Sequence, residues 1–298
     1  MLRFRFLVLI IACSGAPLAS CRPSEPRAPV AAPAVDDFGT PIPLGKVPTR
    51  IVSLNPTTTE ILFAIGAGNR LVGRSQYDTF PDSARTVPSL GIALRPSVEA
   101  IVAVHPDLVI LYASEDNKPA FERLRQAGIP TVAFKLDSIE QFSRDTKLLG
   151  RMTGDSVTAT VVVDSVNATL ERVRRATAGL HRPTVFIPTW DKPIIAIGGG
   201  SFMSELLEIA GATNVYASIR TPSATVTIED IVARNPDFVI TGSERVAAVQ
   251  KLASWQAIPA VRDGHVLGFD FDIISRPSVQ LGAAAVALAK LFHPGSIR

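Results

Sequence analysis

The stretch SVEAIVAVHPDLVILYAS, residues 97–114, returns later in the same chain as TIEDIVARNPDFVITGSE, residues 227–244. Each copy reads as a capping Ser or Thr, an acidic first turn, a short apolar helix, a Pro-Asp break and an apolar strand. Such a helix, break and strand is a common local solution in any α/β protein, but here the flanks repeat too. RIVSLN at 50–55 and TVFIPT at 184–189 are short apolar strands at similar distances upstream. The helix ending Ala64-Ile65-Gly66-Ala67-Gly68-Asn69-Arg70-Leu71 is echoed by Glu208-Ile209-Ala210-Gly211-Ala212-Thr213-Asn214-Val215. A fold made of one such unit used twice is two similar α/β lobes.

The remaining elements fill out that frame. LVGRS, DLVILY and PTVAF read as further strands, with helices around 98–104, 120–127 and 138–152, the last stopped by Gly154. Thr57-Thr58-Thr59-Glu60 offers a cap and an acidic side chain ahead of ILFAIGAG, and DDFGTPIPL, from Asp36, reads as a small hairpin leading into the first core strand. Asp155 can cap SVTATVVVDSVNATLERVRRATAGL, which holds no Pro and no internal Gly. Val157, Val161, Val166, Leu170 and Val173 recur there at mostly helical spacing. A helix over 155–178 is about 36 Å long, enough to link two lobes. The expected division is an N-terminal lobe at 36–154, a bridging helix at 155–180 and a C-terminal lobe at 181–298, with the ligand cleft between the lobes.

The chain opens MLRFRFLVLIIACSGAPLASC. Two arginines, a short apolar run and small residues make a secretory signal over 1–20. Leu18-Ala19-Ser20-Cys21 resembles a bacterial lipobox, in which Cys21 would carry lipid and become the new N-terminus; the alternative is a plain cleavable signal. RPSEPRAPVAAPAV follows, too poor in large apolar residues to form a core, so 21–35 is expected to be a tether. The protein is thus expected to be exported, periplasmic or at the cell surface, and held to a membrane at Cys21.

Of 298 residues, 47% are apolar and 19% charged, with a formal charge of +3. Arg3 and Arg5 fall in the leader, and 28 basic against 27 acidic residues then leave +1. With no basic cluster interleaved with aromatics, nucleic-acid binding is excluded. The four histidines, His105, His181, His265 and His293, show no HxxxH or HExxH spacing, so no metal site is expected, and His105, His181 and His293 read as surface residues. Gly66-Ala67-Gly68 lacks the third glycine of GxGxxG, and Gly198-Gly199-Gly200-Ser201 lacks the lysine of a P-loop and the GxSxG of a serine hydrolase. No catalytic residues are assigned, and the chain reads as a binding protein rather than an enzyme.

Cys21, the tether, RIVSLNPTTTEILFAIGAGNRLVG, the paired E-x-I-V-A-x-x-P-D-x-V-I segments, the bridging helix and the terminal SRPSVQLGAAAVALAKLFHP together resemble substrate-binding proteins of ABC importers for iron-siderophores, haem and cobalamin. The segment order is most similar to the cobalamin-binding branch. The resemblance implies a monomeric, lipid-anchored protein that carries no cofactor of its own. It would capture cobalamin or a related corrinoid, or alternatively a ferric siderophore or haem, for a permease dimer with its ATPase subunits. It also implies that Glu99 and Glu229, each two residues after a Ser or Thr cap, meet arginines on the permease. Ligands of open α/β sheets gather at the carboxyl ends of strands, which points to Asn55, Pro56 and Thr57, Tyr77, the 91–95 loop with Arg95, Trp190 and Asp191, and Asp270, Asp272 and Arg276. Tyr77 and Asp272 align with ligand-contacting positions of cobalamin-type members. The tryptophans that such members can carry just before each glutamate are absent here, and Arg95 would suit an anionic siderophore or a haem propionate instead.

Overall fold

The computed structural model describes residues 34–297. The leader and Cys21 lie outside the described residues, as does the tether as far as residue 33. In the N-terminal lobe, β1 (Ile51–Ser53) leads to α1 (Pro56–Ala64), β2 (Leu71–Arg74), α2 (Val98–Ala103), β3 (Leu108–Tyr112), α3 (Lys118–Gln126), β4 (Thr131–Phe134) and α4 (Ile139–Thr153). The bridge is α5 (Ser156–Thr177), whose 22 residues span about 33 Å. The C-terminal lobe follows as β5 (Thr184–Phe186), β6 (Pro188–Asp191), β7 (Ile194–Ile197), α6 (Phe202–Ile209), β8 (Thr213–Asn214), β9 (Ser223–Thr225), α7 (Ile228–Arg234), β10 (Phe238–Gly242), α8 (Val246–Gln250), α9 (Pro259–Arg262), β11 (Val266–Phe269) and α10 (Leu281–Phe292).

The repeat read in the sequence is a repeat of topology. The first sheet is ordered β2-β1-β3-β4 and the second β8-β5-β10-β11, parallel throughout, so β1, β2, β3 and β4 correspond to β5, β8, β10 and β11. The closing turns of α1 and α6 also match. Gly66 and Gly211 sit at φ of 91° and 81°, where only glycine is unstrained. Ala67 and Ala212 donate back to the carbonyls of Leu62 and Leu207, as in a Schellman cap. An antiparallel sheet, β6-β7-β9, is an addition of the second lobe alone.

The Pro-Asp of the repeated motif has a structural task in both lobes. Asp107 accepts from the backbone N–H groups of Thr49 and Arg50, at 2.9 and 2.8 Å, and from the Thr49 hydroxyl. Asp237 accepts from the N–H and hydroxyl of Thr184, both at 2.7 Å. Each aspartate therefore pins the start of the neighbouring strand, β1 or β5, to the start of its own.

Alternate side chains of each parallel strand enter different layers. Ile51, Ile110 and Phe134 of the first sheet and Val185 and Ile240 of the second belong to one continuous core, together with α5 and α10. Val52, Val109 and Ala133 face a separate outer layer in the first lobe, and Phe186 and Val239 face another in the second. The bridging helix thus lies inside a layer common to both lobes. It buries Ala159, Val163, Val166, Leu170, Val173 and Thr177 and packs on α4, α6 and α10.

Several local expectations are corrected. Val157 and Val161 are 81% and 61% exposed; the buried stripe is offset from them by two residues, a shift that a β-branched run does not reveal. Asp155 makes no side-chain cap on α5, and its carboxylate pairs with Arg70 at 3.4 Å. Asn55, not a threonine, caps α1, with Pro56 at the first helical position. The segment from Asp36 makes a turn and an isolated bridge, Val35 to Pro41, rather than a hairpin. The Asp36 carboxylate fixes that turn by accepting from Phe38, Thr40 and Ala133, so the turn lies along the edge strand β4. His293 is half-buried, with its Nε2 3.1 Å from the Gly211 carbonyl oxygen.

Partial burial opposes ionisation of Asp107, but the N–H donors of Thr49 and Arg50 outweigh it; for Asp237 the Thr184 N–H is the main cause. Both carboxyls are held below their usual range. A depressed carboxyl contributes stability above its unfolded pKa of about 3.9 and loses it as pH falls through the folded value. The double variant Asp107→Asn plus Asp237→Asn should lose about 1–2 kcal/mol at pH 7. Its urea midpoint should also fall less steeply than that of the parent between about pH 5 and 3.

Candidate functional site

The loops at the carboxyl ends of the strands build a cavity of about 760 Å³ between the lobes, within the range of small-molecule sites. Its first wall starts at β1. Leu54 follows that strand, and the Asn55 side chain accepts from Thr57 N–H at 3.1 Å while reaching the Phe134 carbonyl at 3.4 Å. The β1 to α1 corner is thereby tied to the end of β4. Thr57, Thr58 and Thr59 are all buried. Thr58 bonds to Ser53 at 2.6 Å, and Thr59 donates to Asp78 at 2.5 Å.

Asp78 organises the next loop. Burial pushes its carboxyl up, against the pull of the Ser75 and Thr59 hydroxyls. The Ser75 hydroxyl bonds to Asp78 and accepts from Tyr77 N–H at 3.2 Å. With its backbone held from below, the Tyr77 ring projects into the cavity and stays 56% exposed. Ile92 and Leu94, 48% and 45% exposed, line the same space. Tyr112, at the end of β3, donates to Asp137 at 2.9 Å, and these two join Lys135 along the wall after β4.

The second wall comes from α6 and from the segment after β11. Ser201 caps α6 by accepting from Met203 N–H, and Ser201 and Phe202 both face the cavity. The three glycines before them serve close backbone packing. A Cβ on Gly198, Gly199 or Gly200 would collide with the carbonyls of Thr221, Ala217 and Arg220 respectively, and Gly198 N–H donates to the Pro222 carbonyl at 2.9 Å. That contact holds Pro222 at the cavity rim. Ser275, Arg276 and Pro277 complete the wall.

Of the residues expected from sequence, the structure brings Asn55, Pro56, Thr57, Tyr77 and Arg276 together around this cavity. It places five others, Arg95, Trp190, Asp191, Asp270 and Asp272, outside the lining. Arg95 donates twice to Asp116, at 2.8 and 3.0 Å, over a separate surface hollow. Trp190 is 61% exposed beside a second cavity of about 750 Å³ that also takes in Asp191, Arg245 and Trp255. Asp272 is exposed and donates its N–H to Asp270 at 2.9 Å. Glu99 and Glu229 are both exposed in the first turns of α2 and α7, behind caps made by Ser97 and Thr227. Tyr112, Lys135, Asp137 and Phe202 were not among the expected residues. Tyr112 and Asp137 were within reach of the strand-end rule, since one closes β3 and the other follows β4.

The family model described as periplasmic binding protein matches residues 51–273. A cobalamin-binding protein of Halobacterium salinarum is 30% identical, covering all of this chain and 87% of that one. An uncharacterized ABC transporter substrate-binding lipoprotein of Bacillus subtilis is 29% identical over 86% of this chain and 84% of its own. Among solved structures, the periplasmic haem-binding protein RhuT from Roseiflexus shares the fold with a TM-score of 0.74 at 22% identity, covering 85% of this chain and all of that one. Two parallel α/β sheets on a shared helical layer, a cleft at their strand ends and these matches agree. The chain belongs to the periplasmic binding protein family, exported solute-binding components of ABC importers that carry their ligand without transforming it.

Proposed function

We propose that this protein captures cobalamin or a related corrinoid in the inter-lobe cavity and delivers it, from a lipid anchor at Cys21, to an ABC permease. The observation that carries the ligand class is the make-up of the cavity. Tyr77, Ile92 and Leu94 leave large apolar surface open to solvent on one wall, and such surface in a cleft marks a ligand site. Around it stand donors and acceptors of both kinds, among them Asn55, Tyr112, Asp137, Ser201 and Arg276. A corrin ring with amide arms presents one apolar body and many amide donors and acceptors, and the whole-length likeness to a cobalamin-binding protein supports the same reading. A haem or ferric siderophore is the second reading, favoured by the two cations Lys135 and Arg276 in the same lining, which suit carboxylates.

Calorimetric titration of the full chain carrying Cys21→Ser with cyanocobalamin, haemin and a ferric hydroxamate distinguishes these readings. Saturable one-to-one heat is expected with cyanocobalamin; heat with haemin or the hydroxamate alone would move the assignment to the second reading. Tyr77→Ala should weaken the bound ligand about tenfold or more. Its melting temperature should hold, because the ring is mostly solvent-exposed in the free protein.

Delivery is assigned to Glu99 and Glu229. Each carboxyl is held below its usual range, by its own backbone N–H first and then by the hydroxyl of Ser97 or Thr227, so both are anionic at neutral pH. Glu99 has a loose neighbour in Arg123 at 3.8 Å. Glu99→Ala plus Glu229→Ala should leave ligand affinity unchanged and impair uptake in cells. Lost affinity with intact folding would contradict this division of labour.

A further inference from the structure

Glu60, on α1 of the first lobe, is 1% exposed. Both of its carboxylate oxygens are met from the second lobe. Arg276 Nε donates to Oε1 at 2.6 Å, and Gln280 Nε2 donates to Oε2 at 3.3 Å. A carboxylate withdrawn from water is tolerable only with such partners, so separating the lobes at this point strands a buried charge. Arg276 meanwhile lines the ligand cavity, while Glu60 does not. Its Nη1 donates to Ser275 Oγ at 3.1 Å, and Nη2 has no hydrogen-bond partner among the described residues. The guanidinium is a rigid planar fork. Fixing Nε against Glu60 therefore fixes where Nη2 stands.

We propose that Glu60 is a positioning residue of the ligand site: it holds Arg276 from the opposite lobe so that Nη2 is kept for an acceptor oxygen of the ligand, and it holds the two lobes together before ligand arrives. The role in binding rests on the reading of the inter-lobe cavity as the ligand site. The role in lobe spacing is independent of any ligand.

The test uses the full chain with Cys13→Ser and Cys21→Ser, spin-labelled at cysteines introduced at Gln126 on α3 and Ala248 on α8, both exposed. The ligand-free protein should give a narrow label-to-label distance distribution. Glu60→Gln should make it broader, and should weaken cyanocobalamin or haemin, whichever the parent binds, about tenfold or more. In an Arg276→Gln background the Glu60→Gln change should add nothing to either effect, because the coupled pair is already broken. Should Glu60→Gln fail to fold, Arg276→Gln alone must reproduce the broadening. Unchanged distances and affinity in folded Glu60→Gln protein, or an equal effect with and without Arg276, would overturn the proposal. A parent that binds neither probe overturns the ligand reading, and the distance comparison then still decides whether Glu60 sets the lobe spacing.

Discussion

The buried stripe of α5 is the contact on which both lobes depend. Ala159, Val163, Val166, Leu170, Val173 and Thr177 recur every three or four residues, and Ala159, Val166, Leu170 and Val173 belong to the layer that both sheets share. Close approach along it is made possible by small residues. Gly150 of α4 lies so near Ala159 that any side chain on it would collide, and Gly282 of α10 lies against Thr169. A helix gripped this way on two sides cannot flex as a free rod between independent bodies. The inter-lobe cavity is accordingly framed by two walls whose backs are packed on one core.

Twin lobes need not have twin roles. The repeated aspartates, Asp107 and Asp237, and the repeated glycines, Gly66 and Gly211, hold the same backbone geometry in each half. The cavity walls diverge. One presents exposed Tyr77, Ile92 and Leu94, and the other presents the α6 start and Arg276. The repeat keeps what pairs strands and turns helices, while the loops at the strand ends differ, which is where a scaffold can vary without loss of its core.

What was legible in the sequence was chemistry that acts over a few residues. Ser97 and Thr227 cap helices as their neighbours imply, and Gly154 ends α4 in the left-handed region. The doubled motif revealed two lobes because its period is carried by the chain itself. Where reading failed, two local signals competed or the partner was distant. Pro56 at the first helical position already requires the cap one residue earlier, at Asn55, and the three threonines that follow are competing cap residues in the sequence alone. Val157 and Val161 share a helical face, but the pattern alone cannot say which face a neighbour will cover. Glu60 looked like first-turn decoration on α1, and its true partners lie 216 and 220 residues away. Spatial gathering of Asn55, Tyr77 and Arg276 followed from the strand-end rule, whereas Trp190 obeys the same rule and lines another hollow.

The shared layer also bears on how the chain is made. The outer face of the first sheet is covered by α2 and α3, close to it in the chain, whereas the core on its inner face continues through α5 to Leu281, Ala284, Ala285 and Leu288 of α10. That helix follows every other described element in chain order. The layer that includes α5 is therefore complete only once α10 has been made, although domains ordinarily fold in the order in which they are translated.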